Sequence, residues 1–275
     1  MFKFASCFLA LLPIALWATE TLHPVRPPTT SLSTAGVFEL IDDRYSVDAA
    51  VSLEIAPIEW ISIYADGSFR FMSYSYEMSV KGYEHNYCNL HVNGFNETYL
   101  GTKILPLNNF GLDVNWRFPP GEGSQKYRFH RLNVEPFAFL HISKILLGGL
   151  SLRYNTFLED AKYKPGDEIG SKASLILKFL WVEHMQTGWI LESTFLYQRR
   201  IQESENRNLD KPYRAMKDKY QGAKLRLDLT RHFELFEKKI GFGIDYEINE
   251  GTLFGFETGH RIGLHLKFTA APEKN

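Results

Sequence analysis

Three successive segments near the end of the chain place apolar residues at every second position, and few folds can absorb that pattern. Leu225, Leu227 and Leu229 alternate with Lys224, Arg226 and Asp228. Ile240, Phe242, Ile244, Tyr246 and Ile248 alternate with Gly241, Gly243, Asp245, Glu247 and Asn249. Ile262, Leu264, Leu266 and Phe268 alternate with Arg261, Gly263, His265 and Lys267. Side chains of a strand point to opposite faces in turn, so each segment has one apolar and one polar face. A soluble sandwich alternates too, but its strands are usually short. These segments run to about ten residues, the length a tilted strand needs to cross a bilayer.

Composition fits strands that cross a bilayer better than helices that do. The mean hydropathy of −0.23 is that of a soluble protein, as expected when polar inward residues offset apolar outward ones. Aromatic residues make up 15%, with 21 Phe and 14 Tyr, which suits girdles at two membrane interfaces. The formal net charge of −1 carries no nucleic-acid footprint. At the start, Met1-Phe2-Lys3 precedes an apolar stretch from Phe4 to Trp17, and Ala18 stands before Thr19-Glu20. That layout reads as a secretory signal peptide over 1–18, cleaved after Ala18. Of the two cysteines, Cys7 and Cys88, only Cys88 would remain, so no disulfide framework and no cysteine-based zinc site is expected.

Read backward, the alternation predicts strands near 259–268, 240–249, 220–232, 188–201, 171–182, 145–157, 129–141, 110–118, 97–105, 60–74, 46–56 and 33–42. Short connections such as 106–109 and 142–144 alternate with long ones such as 75–96 and 202–219. Short turns on one side and longer loops on the other are the rule for transmembrane barrels. The expected fold is all-β, a closed antiparallel up-and-down barrel of about 12 strands over 33–268. A flexible lead-in with Pro24, Pro27 and Pro28 is expected over 19–32, and a short tail over 269–275.

With these strands, the signal segment and the loop asymmetry, the chain resembles bacterial outer-membrane β-barrel proteins as a class. The resemblance covers nearly all of the mature chain and rests on patterns, not on family motifs. It implies placement in the outer membrane, lipid around the barrel and the barrel-assembly machinery as a partner during biogenesis. Such barrels commonly end on an aromatic residue read by that machinery; Phe268 stands there, although Thr269–Asn275 follow it. A passive, weakly selective channel for small solutes or ions is the first functional expectation. A structural or adhesive barrel with a charge-filled lumen and active external loops is the second. A membrane-embedded hydrolase and a soluble periplasmic or secreted β-protein are weaker readings.

If the apolar set faces lipid, the other set faces the lumen. Its candidate lining residues are Arg70, Lys103, Asp113, Arg117, Arg131, Glu135, Arg153, Lys178, Glu192, Lys224, Arg226, Asp228, Asp245, Glu247, Arg261, His265 and Lys267. Glu39, Asp48, Glu54, Asp66 and Glu97 add further acids. The signs nearly balance and interleave on neighbouring strands, which predicts cross-strand ion pairs. No catalytic residue, cofactor or metal ligand is assigned. His141-Ile142-Ser143 has the spacing used by outer-membrane phospholipase A and the lipid A deacylases, but it falls at a short turn. His91-Val92-Asn93-Gly94 resembles a phospholipase loop motif, with Asn93 where a serine is needed, and the Asp-His pair of omptin-like proteases is missing. The nine histidines show no His-x-His or His-x₃-His pair, so spacing along the chain supports no metal site.

Overall fold

The computed structural model describes residues 29–41, 44–78, 86–107, 109–118, 130–158, 163–164, 166–182, 187–202, 204–206, 213–215, 221–235, 238–251 and 259–270. The signal segment 1–18, the lead-in up to residue 28 and the tail from 271 lie outside them, as do parts of the longer loops.

The elements are β1 (Thr29–Ile41), β2 (Arg44–Ile58), β3 (Ile61–Met78), β4 (Asn86–Leu107) and β5 (Phe110–Phe118). Next come β6 (Arg131–Ser143), β7 (Leu146–Phe157), β8 (Tyr163–Lys164), β9 (Glu168–Val182) and β10 (Thr187–Arg200). The chain finishes with β11 (Ser204–Asn206), β12 (Tyr213–Ala215), β13 (Gln221–Leu235), β14 (Lys238–Glu250) and β15 (Gly259–Ala270). Twelve of them form a closed antiparallel barrel in the order β1-β2-β3-β4-β5-β6-β7-β9-β10-β13-β14-β15, and β15 returns to β1. The short β8, β11 and β12 pair separately in the long loops.

Closure runs from Thr30↔Ala270 to Ile41↔Gly259, so no barrel edge is left open along this seam. β1 begins at Thr29, inside the stretch expected to be lead-in, and β15 reaches Ala270, two residues into the expected tail. The seam explains both extensions, because Ser31 and Leu32 of β1 meet Thr269 and Phe268 of β15 and bond on their other side to Glu54 and Leu53.

A larger departure concerns 75–96, expected as a loop. There β3 and β4 continue as a paired ribbon from Tyr74↔Leu90 to Met78↔Asn86. The segment alternates weakly, so apolar residues give no guide to it. Four of the five register shifts, between Ile55/Ile58, Ile104/Leu107, His141/Ser143 and Thr187/Trp189, sit beside the short turns. Bulges at barrel rims bend the strand ends and sharpen their twist.

The molecule is inside-out relative to a soluble protein. Along β7, Ser151, Arg153 and Asn155 are buried, while Leu150 and Leu152 are 67% and 66% exposed. The same alternation puts Leu225, Leu227, Phe242, Ile244 and Leu264 on the exposed face. A closed barrel with an apolar exterior satisfies every backbone group internally and leaves an outer surface suited to hydrocarbon. A compact apolar cluster lies inside near the short turns, where Phe137 and Phe139 pack with Leu105 and Leu147. The Phe137 ring fits over Gly111, where an added Cβ would come within 2.4 Å of it.

The facing pattern can be tested on one strand. Ile244 is exposed between the buried Gly243 and Asp245. Ile244→Arg is expected to cost roughly 2–4 kcal/mol of folding into lipid, as for a lipid-facing arginine near the bilayer midplane. Heat-modifiable migration after refolding into vesicles should show a much lower folded yield for Ile244→Arg than for Ile244→Leu.

Candidate functional site: the charged interior wall

All of the candidate lining residues are buried or half-buried, on the side of their strands opposite the apolar exterior. The strands' period of two places them there, and the barrel's register decides which of them meet.

One network spans the seam. Arg70 on β3 grips Asp48 of β2 with two bonds, Nε to Oδ1 at 2.7 Å and Nη2 to Oδ2 at 2.6 Å, and reaches Glu39 of β1 at 2.8 Å. A bidentate guanidinium–carboxylate pair is among the strongest polar contacts available. Arg261 on β15 lies 3.9 Å from both Glu39 and Asp48 and 3.5 Å from Glu247 on β14. Lys224 on β13 closes on Glu247 at 3.2 Å. Just beside it, Arg226 contacts Asp228 at 3.2 Å and Asp245 at 3.4 Å, and His265 lies 3.7 Å from both of these acids. Six consecutive strands of the wall are joined in this way.

Register sets the partners within this network. Arg226 stands directly across from Glu247 and reaches Asp245 diagonally, while Lys224 also pairs with Glu247. The residue directly across from Asp245 is a second acid, Asp228.

The other half of the wall holds smaller groups. Lys103 of β4 bonds Glu54 of β2 at 3.1 Å, which also accepts from Ser62 at 2.6 Å, and its ammonium lies over the Tyr64 ring. Tyr64 donates to Asp113 at 2.8 Å. Glu135 of β6 is held by Arg153 at 2.8 Å, Lys172 at 2.7 Å and Ser151 at 2.6 Å. Arg131 stacks over Tyr99 and Lys178 over Trp181. Arg117 is buried across from Arg131, Glu192 is buried across from Asp228, and Lys267 is half-buried between Ser33 and Gly241 in register. Apart from Arg226–Asp228, which lies within β13, every ion pair named here joins strands that are adjacent or next but one around the barrel.

Several members of this wall were not among the candidates. Glu168 of β9 accepts from Gln198 at 2.5 Å and Asn155 at 3.3 Å and pairs with Arg200 at 3.4 Å. It was missed because the strand was expected to begin at 171. Lys172 shares the parity of Lys178, and that signal alone marks it as inward. His141, Ile142 and Ser143 are all exposed at the short turn between β6 and β7, and the Ser143 hydroxyl oxygen accepts from the Ile145 backbone. The side chain of His91 lies outside the described residues.

No protein-family model matches the chain, and no curated protein matches its sequence. Its fold is similar to solved bacterial outer-membrane β-barrels. An outer-membrane channel from Pseudomonas putida F1 superposes with a TM-score of 0.58 at 10% identity, covering 93% of this chain and 100% of that one. The NanC porin superposes with a TM-score of 0.51 at 8% identity, covering 86% of this chain and 98% of that one.

Two glycines make the β14–β15 part of the wall possible. A Cβ at Gly243 would lie 2.4 Å from His265 Nε2, and one at Gly263 would lie 2.3 Å from Asp245 Oδ1. Gly243→Ala is therefore expected to destabilise by about 1–3 kcal/mol, the usual cost of overpacking. The same change at Gly148, whose nearest neighbour would be at an ordinary 3.5 Å, should be close to neutral. Urea unfolding in detergent or lipid checks the difference.

Proposed function

We propose that the protein is an integral outer-membrane barrel that serves as a passive, weakly selective channel for small solutes or ions. The observation that carries this reading is the arrangement of the interior charges. Acids and bases are intermingled over the wall and pair with near neighbours, so they brace the wall and leave no single sign of charge over it. Strong ion selectivity comes from rings of one sign, and a balanced lining favours weak discrimination. The low exposure of Glu135 and Arg117, 2% each, favours a narrow path. The apolar exterior supports placement in the bilayer, and Phe268, on that exterior face near the end of β15, suits recognition by the assembly machinery. The reading assigns no catalytic step.

The same low exposure favours a second reading, a barrel whose lumen is filled and whose external loops do the work. Arg226 separates the two. In a filled lumen its removal leaves Asp228 and Asp245 face to face without water, a loss of about 3–5 kcal/mol for a broken buried pair. Beside a wide aqueous path the loss is about 0–1 kcal/mol. Planar-bilayer recordings of the wild type, with thermal melts of Arg226→Ala, decide between them. Small, weakly selective conductance with a lowered melt is the expected result. Large conductance with an unchanged melt removes the filled barrel, and no conductance with a lowered melt removes the channel.

A further inference from the structure

Asp228 of β13, Asp245 of β14 and His265 of β15 bring one ligand atom each to within 4.8 Å of one another. No spacing along the chain announces this, because three strands each contribute one residue and the register assembles them. The arrangement of protons around them points to a missing cation. The Thr230 hydroxyl donates to Asp228 Oδ1 at 2.6 Å and also contacts His265 Nε2 at 2.9 Å. A hydroxyl has one proton, and an ionised carboxylate only accepts. Thr230 therefore accepts from Nε2–H, and in the neutral imidazole the lone pair is on Nδ1. That nitrogen is buried and makes no hydrogen bond, and the same is true of Asp245 Oδ1. The two are 3.7 Å apart, and Nδ1 is also 3.7 Å from Asp228 Oδ2.

Lone pairs facing one another at that distance repel. A bridging proton does not fit, since charge-assisted hydrogen bonds run at about 2.7–2.9 Å. The spacing is that of ion ligands instead: donors about 2.0–2.2 Å from one zinc stand roughly 3–4 Å apart, and both 3.7 Å separations fall in that range. We propose that Asp228, Asp245 and His265 form a wall site for a divalent cation of borderline softness, Zn²⁺ by preference, bound through Asp228 Oδ2, Asp245 Oδ1 and His265 Nδ1. Mixed imidazole and carboxylate donors suit such ions better than they suit Mg²⁺ or Ca²⁺. Arg226 holds Asp228 Oδ2 and Asp245 Oδ2, which orients both carboxylates and leaves the three-residue site with surplus negative charge. Thr230 fixes the tautomer through the far nitrogen, the usual outer-shell role for a histidine ligand. The open notches at Gly243 and Gly263 let the ring and the carboxylate lie against the wall. The site is independent of whether the barrel conducts.

The test uses the untagged full-length mature barrel, refolded in detergent, stripped with a chelator and titrated with ZnCl₂ by calorimetry and with CoCl₂ by visible absorption. The expected result is saturable uptake of a single equivalent of Zn²⁺, with little heat from Mg²⁺. His265→Gln and Asp245→Asn should each weaken it by at least about tenfold. His260→Gln should bind as the wild type does, because His260 is exposed beside Tyr246. Absence of saturable uptake by the wild type overturns the proposal, as does a His265→Gln protein that binds equally well or a His260→Gln protein that loses as much. Heat-modifiable migration shows whether each variant is folded. If His265→Gln is not, the wild-type Co²⁺ spectrum decides alone. Intense bands of a four- or five-coordinate ion support the site, and the weak bands of the aquated ion overturn it.

Discussion

The seam between β1 and β15 is the interaction on which the rest of this structure depends. A sheet with an apolar outer face can enter hydrocarbon only if no backbone N–H or C=O is left bare, since each such group costs several kcal/mol there. The seam removes the last two edges by pairing Thr30 with Ala270 and Ile41 with Gly259. It also creates the interior as an enclosed space. Without it, Glu39 and Asp48 would not lie beside Arg261, and the network that crosses the seam would be two unrelated clusters. The ionic contacts are then a consequence of closure, although they also strengthen it by tying β1 and β2 to β15 from within.

Much of this was legible in the residues. Phe242 to Asn249 and Arg261 to Phe268 announce their faces by simple parity, because one side had to be apolar for lipid. The strand number and the turn asymmetry follow from the same signal. Legibility stopped where that signal has no physical cause. Residues 75–78 and 86–89 pair as a ribbon, yet their alternation is weak, so apolar residues give no sign of the strand pairing that continues there. Glu168 was lost because β9 begins at 168, earlier than its alternation showed.

The interior partnerships were harder still. Parity says that Arg226, Asp228, Asp245 and His265 share a face, but only the register sets Asp228 against Asp245 and brings His265 over from the third strand. A shift by two residues would preserve every inward and outward assignment and change every partner. Balanced charge could be read from the chain. The diagonal Arg226–Asp245 contact could not, since it depends on the register and on side-chain reach.

The unequal strand lengths carry information about the membrane itself. β4 is 22 residues long, but its pairing with β5 stops at Thr98↔Phe118, and β5 has only 9 residues. Beyond Thr98, β4 bonds to β3 alone among the described strands. On that side the paired wall of described strands ends at Phe118, which makes β5 a gauge of the bilayer. At about 3.3 Å per residue and a tilt of about 40°, it spans roughly 23 Å along the normal, close to the ~25 Å apolar band of such barrels. The shortest strand sets the thickness of membrane this barrel can occupy, and the longer strands only extend above it.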